Sequence, residues 1–154
     1  MKRIDAKDWQ IIRELQRDGR LTNLELSERV NLSPPPCLRR VRILEEAGVI
    51  TGYSADVDPR ACGLRVTAFI RISLLRHERD SIRRFEESIQ KIDEVLECHL
   101  LTGEADYLLR VMVADLDAYE DFVRTRLHGI PEVSSIITSL VYGTVKSSRI
   151  FPSS

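Results

Sequence analysis

The chain has 154 residues, 43% of them hydrophobic and 31% charged, with a formal net charge of −1. That length holds one medium domain or two small ones, and that composition belongs to a folded chain, neither disordered nor membrane-embedded. Near-neutral charge excludes nucleic-acid binding through bulk electrostatics, since residues 1–60 carry 11 basic against 10 acidic side chains and residues 61–154 carry 12 against 14; any such affinity must come from local placement of arginines.

No apolar run reaches the length of a membrane span, and the opening MKRIDAKDW lacks the apolar stretch of a secretion signal. A cytoplasmic protein with no membrane partner is expected. The cysteines at 37, 62 and 98 and the histidines at 77, 99 and 128 are scattered, so neither a disulfide framework nor a metal motif is indicated.

Residues 4–18 read as a first helix. Asp5 is its cap, Asp8 stands at the third helical position, and Ile4 and Trp9 occupy the two ends of a hydrophobic staple. Ile11, Ile12 and Leu15 supply the buried stripe, and Asp18-Gly19 ends it. Thr22 opens a second helix, with Glu25 three residues on completing a capping box. Leu26 and Val30 form its stripe, and Asn31 suits a left-handed residue after the last turn.

The stretch Leu32 to Ile50, LSPPPCLRRVRILEEAGVI, predicts a third helix. Ser33 is the expected cap, the three prolines from Pro34 to Pro36 fall in the first turn, and Gly48 closes the helix. At about 100° per residue, Cys37, Leu38, Val41 and Leu44 share one side. Pro36, Arg39 and Ile43 centre the other, flanked by Arg40 and Arg42. Alone, this segment fits a solvated amphipathic helix as well as one lying in a DNA major groove. The short corner before it decides for a helix-turn-helix. Val49 to Val57 is β-prone and reads as a small wing or exit strand, and residues 55–64, punctuated by Pro59 and Gly63, as a linker.

The rest reads βαββαβ. Val66 to Leu74 alternates with Ala68, Ile70 and Ile72 on one face, and Ser81 to Ile92 carries Ile82, Phe85, Ile89 and Ile92 at helical spacing. Val95 to Leu101 and Tyr107 to Val113 flank a Gly103-Glu104-Ala105 turn and should form a hairpin. Leu116 to Leu127 is a helix with Leu116, Tyr119, Phe122 and Val123 inward, and Val133 to Tyr142 the last strand. This order makes a ferredoxin-like sandwich, helices on one face of an antiparallel sheet. The α+β protein thus divides into a winged helix-turn-helix at 1–54, a linker strand at 55–64 and a ferredoxin-like domain at 65–154. Strands apolar on both faces, as in Leu108, Leu109, Val111, Met112 and Val113, point to a second copy covering the sheet.

Two stretches, DGRLTNLELSERVNLSPPPCLRRVRILEEAGVITGY and ECHLLTGEADYLLRVMV, together with their order along nearly the whole chain, resemble the Lrp/AsnC (feast–famine) transcription regulators. The resemblance implies a winged helix-turn-helix joined by a strand linker to an effector-binding and assembly domain. It also implies homodimers through paired sheets and assembly up to octamers that bend DNA. The recognition helix then falls on Pro34–Ala47, and the G-x-x-D-Y signature on Gly103, Asp106 and Tyr107, at an inter-subunit crevice for a small effector, commonly an amino acid. Asn31, the triple proline and Ile43 depart from the family pattern, which bears on base preference.

For double-stranded DNA, Arg39 is the residue suited to two hydrogen bonds with a guanine edge. Arg40 and Arg42 suit phosphates, although Arg42 fits a salt bridge to Glu45 or Glu46 equally well. Thr22 and Asn23 suit backbone contacts beside a helix N-terminus, and Ser33, Pro34 and Pro36 complete the DNA-facing set. For the effector, Asp106 is the acceptor for an ammonium, and Thr102 with the Gly103 N–H the donors for a carboxylate. Glu104 and Tyr107 belong to the same turn, and Thr138 and Ser139 are placed by analogy. On residues alone, Gly103 and Asp106 could equally only shape the hairpin.

No catalytic constellation, phosphate loop or cofactor motif appears, so the expectation is a regulator and not an enzyme. The alternatives are an architectural DNA-bending protein with little sequence preference, and an enzyme or metabolite carrier on a ferredoxin-like fold. The first sixty residues argue against the last.

Overall fold

The computed structural model describes residues 3–152. Contacts divide the chain into two compact units, one running to Asp56 and resuming at Val145, the other spanning Val57–Thr144.

The first unit is built from three helices, α1 (Ala6–Arg17), α2 (Asn23–Arg29) and α3 (Pro34–Glu46). The first two start as their sequences dictate. Asp5 accepts from the Asp8 N–H at 2.8 Å while the Asp8 carboxylate accepts from the Asp5 N–H, and Thr22 and Glu25 repeat that reciprocal arrangement. Asn31 holds the left-handed backbone expected after α2, at φ 52°. Ser33 sits at the cap position of α3, but its side chain makes no capping hydrogen bond. The reason is chemical: a cap oxygen bonds the second or third helical N–H, and Pro35 and Pro36 have none to give. At the other end Gly48, at φ 68°, lets the Gly48 N–H reach Glu45 O and the Val49 N–H reach Leu44 O, both at 2.9 Å.

Ile11, Ile12, Leu26, Val30, Cys37 and Leu44 form this unit's core. Leu38, expected in the buried stripe, is exposed instead. The buried stripe is narrow at the N-terminal half of α3, and the next inward place is taken by Arg40, half-buried against α1. The expected wing strand over Val49 to Val57 pairs with no strand among the described residues, so it forms no ladder and is not a strand. Tyr53 instead fastens this segment, donating to Glu45 at 2.9 Å. The segment after Val145 returns to α1: the Gln16 carboxamide donates to Arg149 O at 2.9 Å and accepts the Phe151 N–H at 3.2 Å.

The second unit is an antiparallel sheet, β1 (Val66–Leu74), β2 (Val95–Leu100), β3 (Tyr107–Val113) and β4 (Val133–Leu140), in the order β2-β3-β1-β4. Helices α4 (Arg79–Ile89) and α5 (Leu116–Phe122) cover one face, and α5 runs into a π-helical turn over Val123–Leu127. Alternation in β1 and β3 sends Ala68, Ile70, Ile72, Leu109 and Val111 inward against Phe85, Ile89, Phe122 and Leu127. Two expectations fail here. The single helix over 116–127 is divided by the wide turn, and Leu116 at its start is exposed. The opposite sheet face carries Phe69 (38% exposed) and Ile137 (53%) beside half-buried Leu108 and Met112.

Candidate DNA interface and effector loop

α3 presents its three arginines in two different states. Arg39 and Arg42 are exposed, and among the described residues neither is ion-paired. Arg40 is held within the unit, 2.7 Å from Asp5 and 2.8 Å from Asp8. The backbone N–H of Asp8 first, and the Arg40 guanidinium next, hold the Asp5 carboxyl below its ordinary value. Arg40, expected to contact phosphate, thus docks α3 on the start of α1. Neither Glu45 nor Glu46 pairs with Arg42 among the described residues, and Glu45 accepts from Tyr53.

Thr22 is exposed at the start of α2 with its hydroxyl committed to Glu25 at 2.7 Å. Asn23 lies beside it, half-buried, and its amide donates to Pro34 O at 2.9 Å, joining the starts of α2 and α3. Ser33 and Pro34 are exposed and Pro36 is half-buried. Thr22, Asn23, Ser33 and Pro34 therefore share the N-terminal ends of the paired helices, where backbone N–H groups favour anions, and Arg39 and Arg42 stand farther along α3.

In the second unit, the loop between β2 and β3 is closed by the Leu101 N–H donating to Asp106 O at 2.8 Å. Asp106 is the keystone. Its carboxylate accepts the Leu74 N–H at 2.7 Å through one oxygen and faces His77 Nε2 at 2.8 Å through the other. The Leu74 N–H, and after it His77, hold its carboxyl below the ordinary value, so it is a carboxylate at neutral pH. Thr102, Gly103 and Glu104 stand exposed on the loop. Gly103 has φ 123°, a backbone conformation that glycine adopts freely and that is strained for a residue with a Cβ. Tyr107 is buried, its ring 4.6 Å from Phe85 and its hydroxyl donating to Glu86 at 2.8 Å, and burial with Glu86 pushes its acidity well down.

Thr138 and Ser139 are not brought to this loop in one chain. They lie on β4, with β1 and β3 between them and β2, opposite Ile70 and Phe69. They also point to opposite faces, and Thr138 bonds the Tyr119 hydroxyl on the helical side. The Asp106 carboxylate bond to the Leu74 N–H, which together with the Asp106 N–H donating to Ile72 O at 2.9 Å ties the loop to β1, was not legible in sequence: no local pattern connects positions 32 residues apart.

Residues 4–51 match the family model of a winged helix-turn-helix DNA-binding domain, and residues 67–151 match the Lrp/AsnC ligand binding domain. The leucine-responsive regulatory protein of Escherichia coli K12 is 43% identical over 148 residues, covering 96% of this chain and 90% of the relative. The chain belongs to the Lrp/AsnC family. Its regulators among solved structures superpose closely. A transcriptional regulator from Neisseria meningitidis in complex with L-methionine has a TM-score of 0.93 at 43% identity over 97% of both chains. AsnC of E. coli gives 0.89 at 29% identity, over 98% of this chain and 100% of that one. The feast or famine regulatory protein of M. tuberculosis, complexed with L-methionine, gives 0.83 at 36% identity, over 96% and 97%. Like other Lrp/AsnC members, this protein is a transcription regulator with a helix-turn-helix and a ligand-binding domain. No helix among the described residues is long and apolar enough to cross a membrane.

Proposed function

We propose that this protein is a cytoplasmic, operator-specific transcription regulator, without a catalytic step, whose DNA binding or assembly is set by an amino-acid effector. Residues 1–54 bind DNA, 55–64 link, and 65–154 take the effector and assemble the homo-oligomer. The observation that carries the reading is the division of labour on α3. Arg40 is spent on docking the helix, which leaves Arg39 and Arg42 free on its open side. Arg39 reads a base edge, Arg42 contacts phosphate, and Thr22, Asn23, Ser33 and Pro34 line the backbone approach.

The effector sits at the exposed edge of the Thr102–Glu104 loop, whose shape Asp106 and Tyr107 fix from behind. The two relatives crystallised with L-methionine support an amino acid as its class. β4 lies across the sheet from this loop, so Thr138 or Ser139 can join the site only from another copy. The apolar outer face of the sheet, with Phe69 and Ile137, supports such a copy.

The test is operator binding followed by fluorescence anisotropy during titration with L-methionine. The wild type should change its affinity or its assembly on DNA. Gly103→Val, strained at φ 123°, should lose that response while keeping basal affinity within about tenfold, or about 1.4 kcal/mol. A response that survives in Gly103→Val would place the effector elsewhere. Equal affinity for every duplex at fixed salt would favour the architectural reading.

A further inference from the structure

α3 starts on Pro34, Pro35 and Pro36, so its first three positions carry no N–H. The first N–H of the helix, that of Cys37, is spent on Ser33 O at 3.2 Å. Unlike α2, this end offers a base edge no backbone donor. What it offers instead is apolar. Pro35 is exposed, and Leu38, one turn on and expected to pack inward, is 38% exposed. A single exposed leucine is ordinary on a protein surface, so its place on the helix is what matters.

Fully buried Cys37 and Leu44 mark the inward side of α3. At about 100° per residue, the opposite direction falls between Arg42 and Arg39, with Pro35 and Glu46 beside them. Leu38 lies about 40° to one side of Arg42, and Ile43, also 38% exposed, about 40° beyond Arg39. The open side of α3 thus carries two arginines between two apolar flanks. Leu38 and Pro35 stand in the N-terminal half, the part of a recognition helix that meets base edges, and Ile43 stands in the other half. The one apolar group that the four bases present in the major groove is the C5-methyl of thymine.

We propose that Leu38, with Pro35 beside it, recognises the C5-methyl of a thymine neighbouring the base met by Arg39. Each half-site of the operator then holds a thymine chosen for its methyl group. The inference rests on α3 as the helix that enters the groove, as proposed above, but not on Arg39 reading guanine. DNA is favoured over a protein surface as the occupant, because Arg39 and Arg42 are exposed and unpaired among the described residues. A groove walled by phosphates supplies their opposite charge while Leu38 meets the methyl.

Single thymine-to-deoxyuridine replacements through a duplex selected by the full-length protein test it, since they remove the methyl and keep the pairing. One thymine in each half-site should cost about fourfold in affinity, the worth of one buried methyl. Leu38→Ala should bind the thymine and deoxyuridine duplexes alike, whereas Ile43→Ala should keep the wild-type discrimination. Should Leu38→Ala fail to fold, Leu38→Gln, which keeps the length and adds a polar end, carries the same expectation. Replacement of guanines by 7-deazaguanine, which removes the N7 acceptor, tests Arg39 separately. A guanine penalty with no deoxyuridine penalty would overturn the role of Leu38 and leave Arg39 standing. A deoxyuridine penalty lost in Leu38→Ala, with no guanine penalty, would support Leu38 and overturn Arg39. A deoxyuridine penalty that survives in Leu38→Ala, or vanishes in Ile43→Ala, would give the methyl to another side chain and overturn the proposal. No penalty of either kind would overturn both.

Discussion

The guanidinium of Arg40 lies 2.8 Å from the carboxylate of Asp8, a side chain only 2% exposed at the start of α1. A basic residue on a recognition helix is thereby turned inward to fix that helix to its support. Arg39 and Arg42, by contrast, stand exposed.

Arg40→Ala should therefore act on stability before it acts on affinity. It strips a partner from a buried carboxylate, at a cost of about 2 kcal/mol once partial solvent exposure of Arg40 is allowed for. Urea unfolding should show that loss, while the salt dependence of DNA binding keeps its slope. A slope reduced by about one unit with stability unchanged would return Arg40 to the phosphates.

The two helix caps should separate just as sharply. Thr22→Ala removes a bonded cap and should cost about 1 kcal/mol. Ser33→Ala occupies the same formal position on α3 yet should cost no more than a few tenths, roughly, because its hydroxyl has no proline N–H to bond. Equal losses in thermal unfolding of the two variants would contradict the proline explanation.

Much of this was readable from local pattern. Capping boxes act over three residues, so Asp5–Asp8 and Thr22–Glu25 were legible, as was the alternation that buries Ala68, Ile70 and Ile72. Arg40 was not, since its acids lie 32 and 35 residues away on another helix. The π-helical turn at Val123–Leu127, which ends on fully buried Leu127, leaves no trace in helical periodicity. Thr138 and Ser139, adjacent on β4, face opposite sides of the sheet, so within a single chain they do not turn to one ligand together.

Acid should loosen the effector loop through Asp106. Its carboxyl is held below 3.8 in the folded chain, chiefly by the Leu74 N–H and then by His77. A depressed folded value means that its stabilising contribution is full above 3.8 and is lost as pH falls through the folded value. Asp106→Asn keeps an acceptor for Leu74 but cannot titrate. The stability difference between wild type and Asp106→Asn should be constant near neutrality and shrink below about pH 4. A difference that stays constant into strong acid would show that Asp106 does not carry this dependence.

Assembly should fail when the outer sheet face is charged. Phe69 stands on that face, paired across the ladder with Arg110 on β3 and Ser139 on β4. Phe69→Glu should leave the fold intact and convert a dimer or larger species into monomers in sedimentation at micromolar concentration. An unchanged mass would place the contact between copies on another surface.

The most direct measurement is competition between a duplex selected from random sequence and a scrambled duplex, at one fixed salt concentration, with and without L-methionine. An operator-specific, effector-responsive regulator prefers the selected duplex by about 10³-fold or more. L-Methionine shifts that preference or the size of the complex, and Arg39→Ala costs about 1–3 kcal/mol on the selected duplex alone. Equal binding of both duplexes, with no change on adding L-methionine and an equal loss on both in Arg39→Ala, would contradict it.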